Sequence, residues 1–447
     1  MADSPPGTRI AAGVASAGAA GAVVAFGVTQ LVSALVSPAS DARAAVGAAI
    51  IDLTPGSVKE WAIQTFGTAD KLFLSVMVLA VVIAVAAMAA TRERSRVPLG
   101  TVTLLVFGGA GCAAVLARPG AGLLDAVPTL VGTGCGVAVL RFLTASAPDG
   151  GTADTDTDTG RRRSLQTLAF LGLGTATGVG GVLTSRRLQS VATEIETADL
   201  PPVARPAPPI PPGVQPPLAG LPSFVTGNAD FFRIDTALRV PQLSRRDWTL
   251  RIHGMVGREI TYTFGDLQRF EPVQRAITLT CVSNPIGGDL ISNAVWTGYR
   301  IRDLLRDAAI ADDADMVLST SVDGFTVGAP VEALTDDRDA LLAIGMNGVP
   351  LPPEHGYPAR LVVPGLYGFV SATKWVVDLE LTRFDRAEAY WTRLGWSAQA
   401  PIKTGSRIDV PRAGARLKAG PVTLGGVAWA QGRGIGAVEV RIDDAEW

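Results

Sequence analysis

Apolar positions fall in long unbroken blocks over the first 185 residues and in short alternating runs afterwards. Ile10–Val36, Leu72–Ala90, Leu99–Ala117 and Leu123–Leu143 each approach the ~20 residues that cross a ~30 Å hydrocarbon layer as a helix. Leu165–Leu183, rich in glycine and less apolar, is a fifth candidate. Residues 37–71 between the first two carry Asp41, Arg43, Asp52, Lys59, Glu60 and Trp61, an interfacial connection. With five spans and the N-terminus inside, Arg92–Arg96 and Arg161–Arg163 fall on one side, the positive-inside side. Everything after Leu183 then lies outside. The acidic repeat 151–160 reads as disordered. The arginines that follow it read either as a plain anchor or as a twin-arginine-type export signal.

Ten prolines lie between Pro201 and Pro222, which predicts a semi-rigid extended spacer. Beyond it the period changes to two. Strands are expected at Trp248–His253, Glu259–Thr263, Ala276–Thr280, Met316–Thr320, Leu361–Val363 and Trp375–Leu381. Phe264–Phe270 reads as a short helix, and Arg300–Ala309 as an amphipathic one with Ile301, Leu304, Leu305 and Ala308 on one face. Short mixed elements of this kind argue an α+β domain over 223–400. From residue 401 to 447, Ser406–Val410, Gly420–Val427 and Ile435–Ile442 alternate as antiparallel strands. The fold class is therefore multi-domain: a helical membrane bundle (1–185), a Pro-rich linker (186–222), an α+β domain and a partial all-β domain.

Composition sharpens this division. A 447-residue chain with 48% hydrophobic residues and 50 glycines is too apolar for one soluble globule. Net charge of −2, with no basic face bearing aromatics, argues against nucleic acid. The expected spans contain no histidine, which excludes bis-histidine haem ligation there, and Asp125 and Arg141 are their only charges. Cys112 and Cys135 lie in apolar blocks, so Cys281 is the single thiol of the polar half and a disulfide framework is excluded there.

Two stretches carry candidate chemistry. In Thr278-Leu-Thr-Cys281-Val-Ser-Asn-Pro-Ile-Gly-Gly288 a strand delivers one cysteine to a loop mouth, where a thiolate suits a soft metal or a nucleophilic step. An inert buried thiol is the alternative. In His355-Gly-Tyr-Pro-Ala-Arg360-Leu-Val-Val-Pro364 and Gly365–Trp375, the donors Arg360, Ser371 and Lys374 suit a phosphate. Surface ion pairs are the competing explanation. His253 reads as an ordinary strand residue.

Both stretches, with Trp296-Thr-Gly-Tyr-Arg-Ile-Arg-Asp-Leu-Leu305, resemble the sulfite oxidase family of molybdenum–pterin oxidoreductases over about 223–447. The resemblance implies that Cys281 binds molybdenum. It also implies that Asn228, Phe231, Phe232, Thr320, His355, Arg360, Ser371 and Lys374 hold Mo-molybdopterin. It implies a small-molecule substrate, a separate cytochrome or quinol-linked carrier, and a C-terminal immunoglobulin-like domain, here cut short, through which the family often dimerises. One departure stands out. Sulfite-oxidising relatives place arginines soon after the cysteine, whereas this chain has no positive charge before Arg300, so a neutral S-oxide fits better than a sulfite dianion. Two rival readings remain at this point: a cofactor-free membrane-anchored scaffold, and a transporter with a regulatory head.

Overall fold

The computed structural model describes residues 6–55, 58, 61, 65, 66, 70–93, 95, 97–118, 121–145, 156–188, 190–235, 237, 239–285 and 287–446. The chain forms two compact units, Met1–Ser190 with Thr236–Arg239, and Val191–Asp235 with Val240–Trp447.

The first unit is helical: α1 (Pro6–Val36), α2 (Ala42–Leu53), α3 (Asp70–Ala90), α4 (Leu99–Leu116), α5 (Val127–Ala145) and α6 (Asp156–Leu188). Five helical stretches are long and apolar enough to cross a membrane by length and composition. Helix α1 packs against α6, α5 and α3. Small residues permit that closeness: a Cβ on Gly27 would stand 2.1 Å from the Gly174 carbonyl oxygen. Asp125 lies in the 3-10 turn that opens the fourth candidate span, Leu123–Ala145, where its carboxylate accepts from the Gly122 N–H at 2.8 Å. One expectation changes here. The acidic repeat is helical from Asp156 onward, its residues 151–155 lying outside the described ones, as do Arg94 and Arg96.

The second unit contains two five-stranded sheets. In one, the order is β2 (Ile260–Thr263), β1 (Thr249–Gly254), β10 (Val376–Thr382), β5 (Met316–Ser321), β6 (Thr326–Pro330), with β1 and β10 parallel. In the other, β3 (Pro272–Thr280), β4 (Ile291–Arg300), β7 (Leu341–Met346) and β8 (Val349–Pro350) are antiparallel, and β9 (Arg360–Val362) also pairs with β7. Helix α8 (Ile301–Ala308) buries Ile301, Leu304, Leu305 and Ala308, as its spacing predicts. Indole donors tie the strands further: Trp248 Nε1 donates to the Val376 carbonyl at 2.8 Å and Trp296 Nε1 to Ile277 at 3.1 Å.

The proline-rich segment is extended but does not stand clear of this unit. A short helix, α7 (Ala192–Thr197), precedes it. Its Glu194 accepts from the Tyr357 hydroxyl at 2.7 Å, and Arg205 bridges in parallel to Val273 at the edge of β3. The spacer expectation is corrected accordingly: an unpaired strand edge offers free N–H and C=O groups, and the extended segment pairs with them. In the C-terminal region, β11 (Gly405–Val410) and β12 (Gly425–Trp429) pair, while 435–442, expected as a third strand, forms none and leaves Val438 and Ile442 about two-thirds exposed. Among the described residues this hairpin has no facing sheet for the alternating residues to bury against.

Candidate active site

Strand β3 ends at Thr280, and Cys281 opens the loop that follows. The Cys281 N–H donates to the Leu290 carbonyl at 2.9 Å, and the Asn284 side-chain oxygen accepts the Leu290 N–H at 2.9 Å, so the loop closes on itself under the thiol. Cys281 is unpaired and half-buried. Beside it the Thr280 hydroxyl is buried with no hydrogen-bond partner. Strand β3 packs through Leu279 and Ile277 into a core with Phe231, Trp296 and Tyr357.

The His355–Arg360 turn meets that core from the other side. The Phe231 ring is edge-on to Trp296 at 5.6 Å and to His355 at 5.5 Å, and stacks on Phe232 at 5.4 Å. His355 Nε2 lies 2.8 Å from the Asn228 carbonyl oxygen. That oxygen only accepts, so Nε2 carries the proton and Nδ1 does not. Burial, reinforced by the Arg360 charge, pulls His355 below its usual range, against the hydrogen bond to Asn228. The ring is neutral at pH 7.

Arg360 is 5% exposed. Its Nη1 donates to the His355 carbonyl at 3.0 Å and its guanidinium lies over the Trp296 ring at 5.1 Å. Among the described residues no carboxylate forms an ion pair with it, and burial brings it down to about 9, still cationic at neutral pH. A buried cation answered only by carbonyl dipoles and an aromatic face is costly unless an anion joins it.

Gly356 makes the turn possible. Its φ is +109°, and a Cβ would meet Arg360 Cβ at 3.0 Å and Lys374 Cα at 3.2 Å. Any other residue would be strained there and would push those neighbours aside. Lys374 is thereby brought against the turn, donating to the Glu354 carbonyl at 3.2 Å and pairing with Asp235. Tyr357 closes the far side. Burial, with the hydrogen bond to Glu194, pushes its hydroxyl above the usual range.

Not every residue expected from the sequence faces this cluster. The Asn228 side chain is occupied locally, donating to Met346 C=O at 3.3 Å and accepting from Asn347 at 2.8 Å, so it ties its loop to the β7–β8 turn. Ser371 turns its hydroxyl inward to the Leu366 and Tyr367 carbonyls, at 3.2 and 3.0 Å, and holds the Gly365–Ser371 turn shut. Thr320 points the opposite way from Ser319, because alternate residues of a strand face opposite sides. It is Ser319 that meets Thr373 Oγ1 at 2.6 Å, next to Lys374. His253 pairs with Asp378 at 2.9 Å on the outer sheet, as an ordinary strand residue would.

Sequence reasoning missed two contributors. Arg407, from β11, donates to the Gly288 carbonyl and so brings a guanidinium to the cysteine loop, but Asp409 at 2.9 Å offsets its charge. Gln431 joins Thr278 of β3 to Gly365. These partners lie 66 to 153 residues away in the chain, where no local pattern can signal them.

The model for the "Oxidoreductase molybdopterin binding domain" family matches residues 237–391. The uncharacterised oxidoreductase YuiH of Bacillus subtilis is 32% identical over 149 residues, which are 33% of this chain and 72% of that protein. Mouse mitochondrial sulfite oxidase is 28% identical over 49% of this chain and 47% of its own. A barley nitrate reductase is 28% identical over 46% and 29%. The chain spans about half the length of the sulfite oxidases it matches. A solved structure of the sulfane dehydrogenase SoxCD from Paracoccus pantotrophus aligns with 47% of this chain and 59% of its own, at 26% identity and a TM-score of 0.41. With the thiol at a strand mouth and a buried unpaired guanidinium across the core from it, the chain belongs to the molybdopterin-binding oxidoreductase family of the sulfite oxidases and nitrate reductases, enzymes of Mo-molybdopterin.

Proposed function

We propose that this chain is a membrane-anchored oxidoreductase that moves an oxygen atom to or from a small neutral substrate such as an S-oxide, with its cofactor unit on the extracytoplasmic side. The residues present fit the cofactor. Among the described residues Arg360 is a buried cation with no carboxylate, suited to an anionic pterin, and the Thr280 hydroxyl beside Cys281 has no hydrogen-bond partner. Among the described residues no group of three His, Cys, Asp or Glu side chains could hold a metal ion, which leaves Cys281 as a single protein thiolate to a metal whose other sulfur donors come with the pterin. When bound, molybdenum–pterin supplies two-electron redox and oxygen-atom transfer chemistry.

The chain's own residues orient and neutralise. Arg360 would pair with the anionic end of the cofactor, and Lys374, itself paired with Asp235, would flank it at the same turn. His355, protonated on Nε2 only, fixes the Asn228 loop and leaves Nδ1 as an acceptor. Phe231 and Phe232 wall the core against water. The observation that carries the substrate reading is the electrostatics of the loop after Cys281: its one guanidinium, Arg407, is cancelled by Asp409, so a sulfite dianion would lack charge-assisted contacts. Electrons then pass to or from a cytochrome or quinol-linked carrier. The test is Cys281→Ser, with metal analysis. Activity falling by at least ~100-fold, beyond the effect of an outer-shell partner, while pterin is retained supports the assignment. Unchanged turnover overturns it.

A further inference from the structure

Arg407 and Gln431 lie beyond residues 237–391, yet each reaches the elements that carry Cys281. Gln431 Nε2 donates to the Thr278 carbonyl at 3.1 Å, three residues before the cysteine, and its Oε1 accepts the Gly365 N–H at 2.9 Å. One side-chain amide thus joins the cysteine strand to the Gly365–Ser371 turn that leads to Lys374. The two run close: a Cβ on Gly368 would lie 3.8 Å from the Thr280 carbonyl oxygen. On the other side of the cysteine, Arg407 donates to the Gly288 carbonyl. Arg407 lies in the β11–β12 hairpin, opposite Val427, and Gln431 follows it two residues after Trp429, which stands opposite Gly405. That hairpin is fixed independently of the contacts in question. Trp429 Nε1 donates to the Lys403 carbonyl at 3.0 Å, and the Ile402 N–H donates to Gly365 C=O at 2.8 Å.

We infer that this hairpin clamps the metal-bearing strand, with Gln431 the positioning residue that sets the spacing between Cys281 and the cofactor's anionic end. The inference rests on Cys281 being the metal ligand. A carboxamide donates to Thr278 through its nitrogen and accepts from Gly365 through its oxygen at once. A carboxylate keeps the acceptor and loses the donor; an alkyl group loses both.

The test loads the full chain with molybdenum–pterin and compares Gln431→Leu, Gln431→Glu and Cys281→Ser. Readouts are the Mo(V) electron paramagnetic resonance spectrum, Mo per chain and hydrogen exchange at the Gly365 amide. Gln431→Leu is expected to shift the Mo(V) spectrum and speed Gly365 exchange by about tenfold, the worth of one lost hydrogen bond. Gln431→Glu is expected to keep Gly365 protected and give an intermediate spectrum. If Gln431→Leu loads no metal, its exchange and the spectrum of Gln431→Glu still decide. A parent-like spectrum in every Gln431 variant overturns the clamp, whether or not Gly365 exchanges faster. If Cys281→Ser also leaves the spectrum unchanged, the ligand assignment itself fails. A changed Cys281→Ser spectrum beside parent-like Gln431 variants removes the clamp alone.

Discussion

Leu105 of the helical unit and Ile408 of the C-terminal hairpin are exposed to nearly the same degree, 55% and 59%. Their surroundings differ. In the helical unit Leu72, Val76, Val81 and Val106 are exposed too, while Thr29, Gln30 and Ser33 are buried. In the second unit Trp248, Leu250, Ile252 and Trp296 are fully buried, and the alternate residues of β1 turn outward. Apolar surface of that kind suits hydrocarbon better than water, as the membrane-anchored reading proposed above requires; on that reading the same exposed aliphatic residue means opposite things in the two units.

The widest separation between them is expected from one substitution made twice. Leu105→Asp should cost about 2.5–3.5 kcal/mol of insertion, read as the membrane-integrated fraction in a translocation assay. Ile408→Asp should stay within about 0.5 kcal/mol by thermal melting. Equal, small effects would remove the membrane reading. Arg360→Met sharpens the other side. In chain produced without pterin it should stabilise the second unit by about 2 kcal/mol, since a buried charge without a partner is relieved, and in a pterin-competent host Mo per chain should collapse. A smaller effect comes from His355. Its folded value lies below the unfolded one, so in mild acid the unfolded chain binds more protons and stability falls as pH drops from 7 through the folded value. His355→Gln should flatten denaturant midpoints between pH 7 and 5.5, above the range where carboxylates protonate.

Much of this molecule was legible from local pattern. The β1, β5 and β10 strands, the buried stripe of α8 and the long helices follow from period alone. Strand β7 did not, because all six of its residues are buried and a continuous apolar run has no period to read. Strand β4 was hidden by its Ser, Asn, Thr and Gly. At the site, the Cys281 loop and the His355–Arg360 spacing announced themselves, since each is set by residues a few positions apart. That Ser319 rather than Thr320 meets Thr373 was not legible, as a one-residue choice of face cannot be made without the sheet. The alternation over 435–442 promised a strand that has no partner to pair with. Gln431 and Asp235 act through contacts across more than 130 residues, and only folding reveals them.

Gly356 has a consequence for inheritance. Where the chain bends with a positive φ under Lys374, any side chain with a β-carbon strains the backbone and crowds Arg360 and Lys374 before any question of chemistry arises. A library randomised at 356 and selected for metal loading should therefore return glycine far above every other letter.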